Sequence, residues 1–385
     1  MPSSADAPAE SPVLADQIKA ILPECIDLRR KIHASPELSL KEEGTAKSIF
    51  QFLTKQGMKT RSYGFPSVVC DTGPNPTIAI RADMDALPIQ EASGEEFSSR
   101  NQGVMHACGH DAHSAILACA GALLFKRKIG SVRLIFQPAE EIGRGAVMMI
   151  NEGVLDGIER IFGLHVWPSL DSGTIAVLQG PAMAANALFT ASLGGTGGHG
   201  AYPHLAQDTV TASASFIMNA NTIVSRTVDP LDSAVVSFGQ IGGGTAANVI
   251  PSEIVLKGTI RSFDPSTQGR LKATIERMLR DAASSYGLAH SIEWFSEGPA
   301  VINDSEFAGS CAQAISQEVR VVGCNPTMGS EDFAYYLQKV KGAFAFLGTG
   351  GREDTRRSKH SSNFKLDESS LNYGIAAEVL VGEKL

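Results

Sequence analysis

Three stretches of the chain repeat one arrangement: PTIAIRADMDALP (76–88), VRLIFQPAEE (132–141) and IERIFGLHVWP (158–168). Each is an apolar run of strand length that leads directly into acids or an imidazole: Asp83 and Asp85, then Glu140 and Glu141, then His165. Near-continuous apolar strands are buried on both faces, which is the habit of parallel sheets covered by helices. Helical periodicity fills the intervals, notably 112–125. The alternation predicts an α/β domain with a mostly parallel sheet flanked by helices. In such open sheets ligands bind at the carboxyl ends of the strands, so the acids and His165 are expected around one crevice.

Upstream, Ile21, Leu28 and Ile32 are spaced as on a helix, SPEL (35–38) breaks it, and a second periodic run covers 42–53. Residues 1–15, rich in Ala, Pro and Ser, read as a loose tail. Near Gly180 the texture changes. A strand at 187–193, a Gly-rich loop GGTGGHGAYPH (194–204), a helix at 207–226, two strands (SAVVSFGQIGGG and SEIVLKGTIRSF) and a helix at 265–286 follow. A β-α-β-β-α-β succession folds as a four-stranded sheet with two helices on one face. An α+β lid domain is therefore expected at 182–294, inserted in a larger domain made of 1–181 and 295–385. At 385 residues the chain is long for one core and comfortable for two.

Composition narrows the partners. Apolar residues are 43% and charged residues 19%, the balance of a globular domain. Net charge is −8 with scattered basic residues, whereas nucleic-acid binding needs a concentrated basic face. No apolar run approaches the roughly 18 residues of a membrane span, and the N-terminus lacks the pattern of a secretory signal. A small-molecule substrate and a cytoplasmic location are the expectations. Six irregularly spaced cysteines (Cys25, Cys70, Cys108, Cys119, Cys311 and Cys324) do not form a disulfide framework.

Residues 105–113, MHACGHDAH, concentrate three histidines, a cysteine and an aspartate. Cys108 and His110, two apart, bring a thiolate and an imidazole within reach of one ion. With Glu140, Glu141, His165 and His360 the chain offers one sulfur, three imidazoles and two carboxylates, enough for two divalent cations. A thiolate among imidazoles and carboxylates suits zinc or a similar transition metal rather than magnesium or calcium. One glutamate of the adjacent pair can ligate while the other takes a proton from the attacking water.

RRKIHASPEL (29–38), RADMDALP (81–88), MHACGHDAH, FQPAEE (136–141), GLHVWP (163–168), GGHGAYPH (197–204), NVIPSE (248–253) and GSEDFAYY (329–336) together resemble the M20 metallopeptidase family. Within it they are most similar to the amidohydrolase branch of hippurate hydrolases, N-acyl-amino-acid deacylases and auxin-conjugate hydrolases. The resemblance implies two divalent metals per subunit, zinc or manganese foremost, with nickel or cobalt as further options. It implies Cys108 as the bridging ligand, His110, Glu141, His165 and His360 as the others, Glu140 as general base and Asp85 as the aspartate steadying the site. Asp83 stands where the dipeptidase branches have a histidine ligand. In the lid, His199 matches the histidine that supports the reacting carbonyl oxygen, often from a neighbouring subunit. Asn248 and Arg261 match segments that contact the substrate or its carboxylate. A homodimer through the lid is a further implication, in keeping with open strand edges in so small a sheet.

Two departures from the family pattern stand beside the site. EEIGRGA puts Ile142 and Arg144 where a run of glycines is usual, and KHSSNF replaces a proline-containing HSP after His360. The expected activity is cleavage of N-acyl amino acids, such as N-acetyl or N-benzoyl derivatives, to a carboxylate and a free amino acid. The rivals are a metallo-dipeptidase or aminopeptidase of the same fold, for which cysteine at 108 rather than aspartate is the wrong branch marker, and a non-catalytic binding homologue.

Overall fold

The computed structural model describes residues 12–128 and 130–385 and divides into two compact units. The first runs through Ala182 and includes Ile302–Asn325 and Asp332–Leu385; the second is Met183–Val301 with Pro326–Glu331. The return point expected at 295 therefore shifts. Strand Ala289–Gly298 pairs along Ala185–Gly194 and so stays with the second unit, as does the 326–331 segment. Of the expected loose tail at 1–15, residues 1–11 lie outside the described residues. From Pro12 the chain is helical, and Leu14 is already buried.

The first unit is built on an eight-stranded mixed sheet. Its centre is parallel, with Val132–Gln137, Ile78–Asp83, Arg160–Asp171 and Lys341–Gly350 side by side. Both margins turn antiparallel, through Val68–Asp71 on one side and Thr174–Val177 on the other. The latter follows strand Arg160–Asp171 after a tight turn containing Gly173 at φ +85°. So short a link reverses direction, whereas a parallel crossover needs a dozen residues or more. Every residue of Ile78–Asp83 and Val132–Gln137 is buried, as continuous apolar runs require. Helices Pro12–His33, His110–Arg127 and Leu371–Lys384 pack together in the same core. The middle one is buried all round over its first fifteen residues, which is why it shows no amphipathic period.

The second unit is a four-stranded antiparallel sheet, ordered Ala234–Gly242, Glu253–Ser262, Ala185–Gly194, Ala289–Gly298. Strict alternation of burial along Ala185–Gly194 leaves one face for helices Thr209–Ala220 and Pro265–Ser285. Asp208 and Asp264 cap these helices by accepting from the amides of the first turn. The helix expected at 207–226 breaks at Asn221 and resumes as the short Ile223–Thr227. Among the described residues no helix is long and apolar enough to cross a membrane.

The sheet centre tolerates no added bulk at Gly163. A Cβ there would stand 2.7 Å from the Phe344 ring and 2.8 Å from the Phe333 ring. Gly163→Ala is expected to destabilise the protein by about 1–3 kcal/mol through overpacking, read as a lower denaturation midpoint.

Candidate metal centre

The chemistry-bearing residues gather beyond the parallel strands. Ile78–Asp83 ends in Asp83, with Asp85 two residues on, and Val132–Gln137 is followed by the 138–141 loop. His165 is not at a strand end as expected, because its strand continues to Asp171. Its pairing with Ile78–Asp83 stops at Gly163, however, so His165 projects past that neighbour just as the acids do.

Cys108 and His110 are set by the glycine between them. Gly109 has φ +88°, and a Cβ there would collide with Cγ2 of Val166. His110 is the first residue of helix His110–Arg127, two residues earlier than the apolar periodicity indicates. The Cys108 Sγ lies 3.4 Å from His165 Nε2. His165 donates from Nδ1 to the Val166 carbonyl at 2.7 Å, which fixes the tautomer and leaves Nε2 with a lone pair facing the sulfur.

The three histidines of MHACGHDAH have different fates. His113 donates from Nδ1 to Asp83 at 2.6 Å and accepts the Val166 N–H on Nε2 at 2.9 Å, so both nitrogens are engaged. His106 is buried, and burial lowers it to about 4, which keeps it neutral. His110 is fully buried with neither ring nitrogen in a hydrogen bond. Its Nε2 lies 3.9 Å from Glu140 Oε2 and 3.8 Å from Glu141 Oε1, and its Nδ1 lies 3.3 Å from Asp85. Burial opposes charge on this ring, yet Asp83 and Cys108 raise it well above the ordinary histidine range.

Five donor triads occur among the described residues, and two of them meet at Cys108: Cys108, His110 and His165; and Cys108, Glu141 and His360, the atoms of each lying within 4.8 Å of one another. They share one sulfur. Orphaned buried nitrogens on His110, a lone pair on His165 and a thiol between the two sets are what a pair of soft divalent cations requires. Burial holds both His165 and His360 below the usual range, in the neutral form that ligates. Burial, with Glu141 nearby, pushes the Cys108 thiol up, so its thiolate needs cations beside it. Asp83, also near His110 and His113, is already engaged by Arg81 at 2.7 Å and by His113.

The last donor comes from a loop held at two points. His360 adopts φ +63°, its N–H bonds the Ala107 carbonyl at 2.8 Å, and Lys359 Nζ sits 3.8 Å from the centre of the Trp167 ring. His360 Nε2 then stands 3.6 Å from Glu141 Oε1. The adjacent glutamates do not alternate across a strand, because the strand ends at Gln137 and Ala139 turns into the left-handed region at φ +57°. Both carboxylates reach towards His110, and Glu141 also towards His360. Asp85 orders this turn. Its Oδ1 accepts the Glu140 N–H at 3.1 Å, and its Oδ2 accepts the Glu141 N–H at 3.0 Å and the Ser39 hydroxyl at 2.6 Å. Burial pushes Asp85 up, but His110, Ser39 and the amides outweigh it and hold the carboxylate ionised.

His199, Asn248 and Arg261 lie in the second unit. His199, on strand Gly198–His199, is exposed and accepts the Ala201 N–H at 3.0 Å on Nδ1. The Asn248 carbonyl accepts from the Gly200 N–H at 2.8 Å, so His199 and Asn248 share one corner. Arg261, on the central strand Glu253–Ser262, instead donates to Ser330 Oγ at 2.8 Å.

Two supporting networks escaped the sequence reading. Arg81 bonds Asp83, Gln137 and Asp332 from the sheet interior. RAD offered the signal, since residues i and i+2 share a strand face. Behind His110, Asp111 binds Arg29 at 3.0 Å and His33 at 2.9 Å, and His33 reaches Glu91 at 3.2 Å. No pattern in RRKIH announces that pairing.

Residues 79–382 match peptidase family M20/M25/M40. The chain is 38% identical over 356 residues to N-acetyl-L-cysteine deacetylase of Bacillus subtilis strain 168, spanning 90% of this chain and 85% of the relative. It is 38% identical over 383 residues to thermostable carboxypeptidase 2 of Saccharolobus solfataricus, spanning 96% and 98%. The fold superposes on the Bacillus subtilis YXEP protein, described as a dinuclear metal binding peptidase from the M20 family. The TM-score is 0.82 and the identity 35%, with 94% of this chain and 98% of that one covered.

The Asp111 network makes stability depend on pH. Burial opposes charge on His33, but Asp111 and Glu91 overcome it and raise the imidazole from 6.5 to about 9. A pKa raised by folding stabilises fully below the unfolded value and ceases to do so as pH rises through the folded one. The stability advantage of the parent over His33→Gln is therefore expected to be largest below pH 6.5. It should shrink by on the order of 3 kcal/mol up to pH 9, measured by denaturant titration.

Proposed function

The chain belongs to peptidase family M20/M25/M40, and from that premise we propose that this metal-dependent hydrolase of amide bonds acts on N-acyl amino acids, releasing a carboxylate and a free amino acid. The observation that supports the reading most is the pair of donor triads meeting at Cys108, with a further carboxylate, Glu140, beside His110. In this reading Cys108, His110, His165, Glu141 and His360 would hold the two cations, with Cys108 common to both donor triads. Zinc or manganese suits the donors, with nickel or cobalt as alternatives. Two such cations supply polarisation of the amide carbonyl and a lower pKa for water.

The chain's own groups supply the proton traffic. Glu140 takes a proton from the attacking water and returns it to the departing amine, so the nitrogen leaves as a free amino group. Asp85 keeps the Glu140 and Glu141 amides in place, so neither carboxylate swings away. His199, from its own or a neighbouring subunit, stabilises the oxyanion as charge develops on the carbonyl oxygen. Asn248 and Arg261 receive the substrate carboxylate, for which a guanidinium is the natural partner. Exposed Met218 and Leu231 and the open edge of strand Ala234–Gly242 favour a homodimer through the lid.

The carboxypeptidase relative favours a second substrate, a peptide with a free C-terminal carboxylate. Both substrates place an acyl group on the nitrogen of a residue whose carboxylate is free, and the same residues serve either. The expected outcome is turnover of N-acetyl or N-benzoyl amino acids well above that of unblocked dipeptides, abolished by chelation and restored by zinc or manganese. Glu140→Gln is expected to keep its metal by elemental analysis while kcat falls about 10²–10⁴-fold. Parental turnover in that variant would exclude Glu140 as the base.

A further inference from the structure

The turn carrying Glu140 and Glu141 is held by a set of hydrogen bonds to its backbone groups. Asp85 holds the N–H groups of Glu140 and Glu141. The Ala139 carbonyl accepts from Arg144 and Gly145, and the Glu140 carbonyl accepts from Gly143 at 2.7 Å. Gly145 can come that close only because it lacks a Cβ, which would run into the Pro138 carbonyl. One amide remains, that of Ala139, and it belongs to the residue at φ +57°. An alanine in the left-handed region costs on the order of 1 kcal/mol, and it persists only where its surroundings over-determine it.

The partner of that amide is Glu42. Its side chain is completely buried, and Oε1 accepts the Ala139 N–H at 2.9 Å across 97 residues of sequence. Its Oε2 has no hydrogen-bond partner. Glu42 is itself placed with care. It immediately precedes helix Glu43–Lys55, its carbonyl accepts from Ala46, and Glu37 ties down the Gly44 and Thr45 amides of the first turn. Ser39, in the same segment, bonds Asp85. Three successive amides, 139 to 141, thus end on two buried carboxylates braced by one stretch, residues 37–45. A charged or polar group is not buried with one oxygen unsatisfied for stability alone.

We propose that Glu42 is a positioning residue for the reaction: by holding the Ala139 amide in its left-handed turn, it aims the Glu140 and Glu141 carboxylates. The inference rests on the roles given above to those two glutamates. Glu42 belongs to none of the candidate donor groups, so its removal should lower the rate of the chemical step and leave ground-state binding nearly unchanged.

The test compares Glu42→Gln, Glu42→Leu and Glu42→Asn in the full chain on an N-acetyl or N-benzoyl amino acid, with metal content by elemental analysis and Glu140→Gln alongside. Gln keeps an acceptor opposite the Ala139 N–H; Leu removes it; Asn withdraws it by one methylene. Expected are a kcat at least tenfold lower in Leu and Asn, KM within about threefold, two metals retained, and a kcat within about threefold of the parent in Gln. If the Leu variant does not fold, the Asn variant decides. Metal-loaded Leu or Asn protein with a kcat within twofold of the parent would overturn the proposal. So would an equal loss in Gln and Asn, which would mark burial rather than the hydrogen bond. An inactive Glu140→Gln beside active Glu42 variants sinks the positioning role alone, whereas an active Glu140→Gln removes its premise.

Discussion

One buried carboxylate organises the site. Asp85 meets Ser39 from the segment before the second helix, His110 from the start of the buried helix, and two amides from the loop after Val132–Gln137. Three distant pieces of chain converge on two oxygens. Such convergence has value only in a dry interior, where each hydrogen bond to an ionised group is strong and an unmet one is costly. Asp83, two residues away, plays a complementary part: it bonds Arg81 and His113 and so ties the strand to the buried helix. Two aspartates in one ADMDALP motif thus divide into an orienter of the loop and an anchor of the sheet.

The shared thiol imposes its own economy. Cys108 belongs to both triads, and its position is forced by Gly109 against Val166 on one side and by the Ala107 carbonyl tied to His360 on the other. A small displacement of this residue would disturb both donor sets at once. The surroundings are correspondingly rigid, with left-handed backbone at Gly109, Ala139 and His360 around the same centre.

Much of this was legible in the sequence because the physics is local. Apolar runs ending in acids gave the parallel core, and the β-α-β-β-α-β order gave the sheet of the second unit. The donors Cys108, His110, Glu141, His165 and His360 could be named because the motifs around them are distinctive, and the structure does bring them together. What stayed hidden depends on tertiary contact. Nothing in SLKEEGT says that Glu42 will meet Ala139, and nothing in RRKIH says that Arg29 and His33 will meet Asp111. The antiparallel margins were missed because they follow from connection length rather than from hydrophobic pattern, and the break at Asn221 because helical propensity continues across it. In the second unit His199 and Asn248 proved neighbours while Arg261 turned to Ser330, a difference no linear motif encodes.

The spread of the donors along the polypeptide has a consequence for biosynthesis. Four of them are available once the first half of the chain has emerged, but His360 belongs to the last strand-to-helix connection and docks through Ala107 and Trp167. Between these two events the ribosome must deliver the entire inserted unit, whose antiparallel sheet can close on its own core. The full set of candidate donors is therefore complete only after the carboxyl-terminal residues have been made.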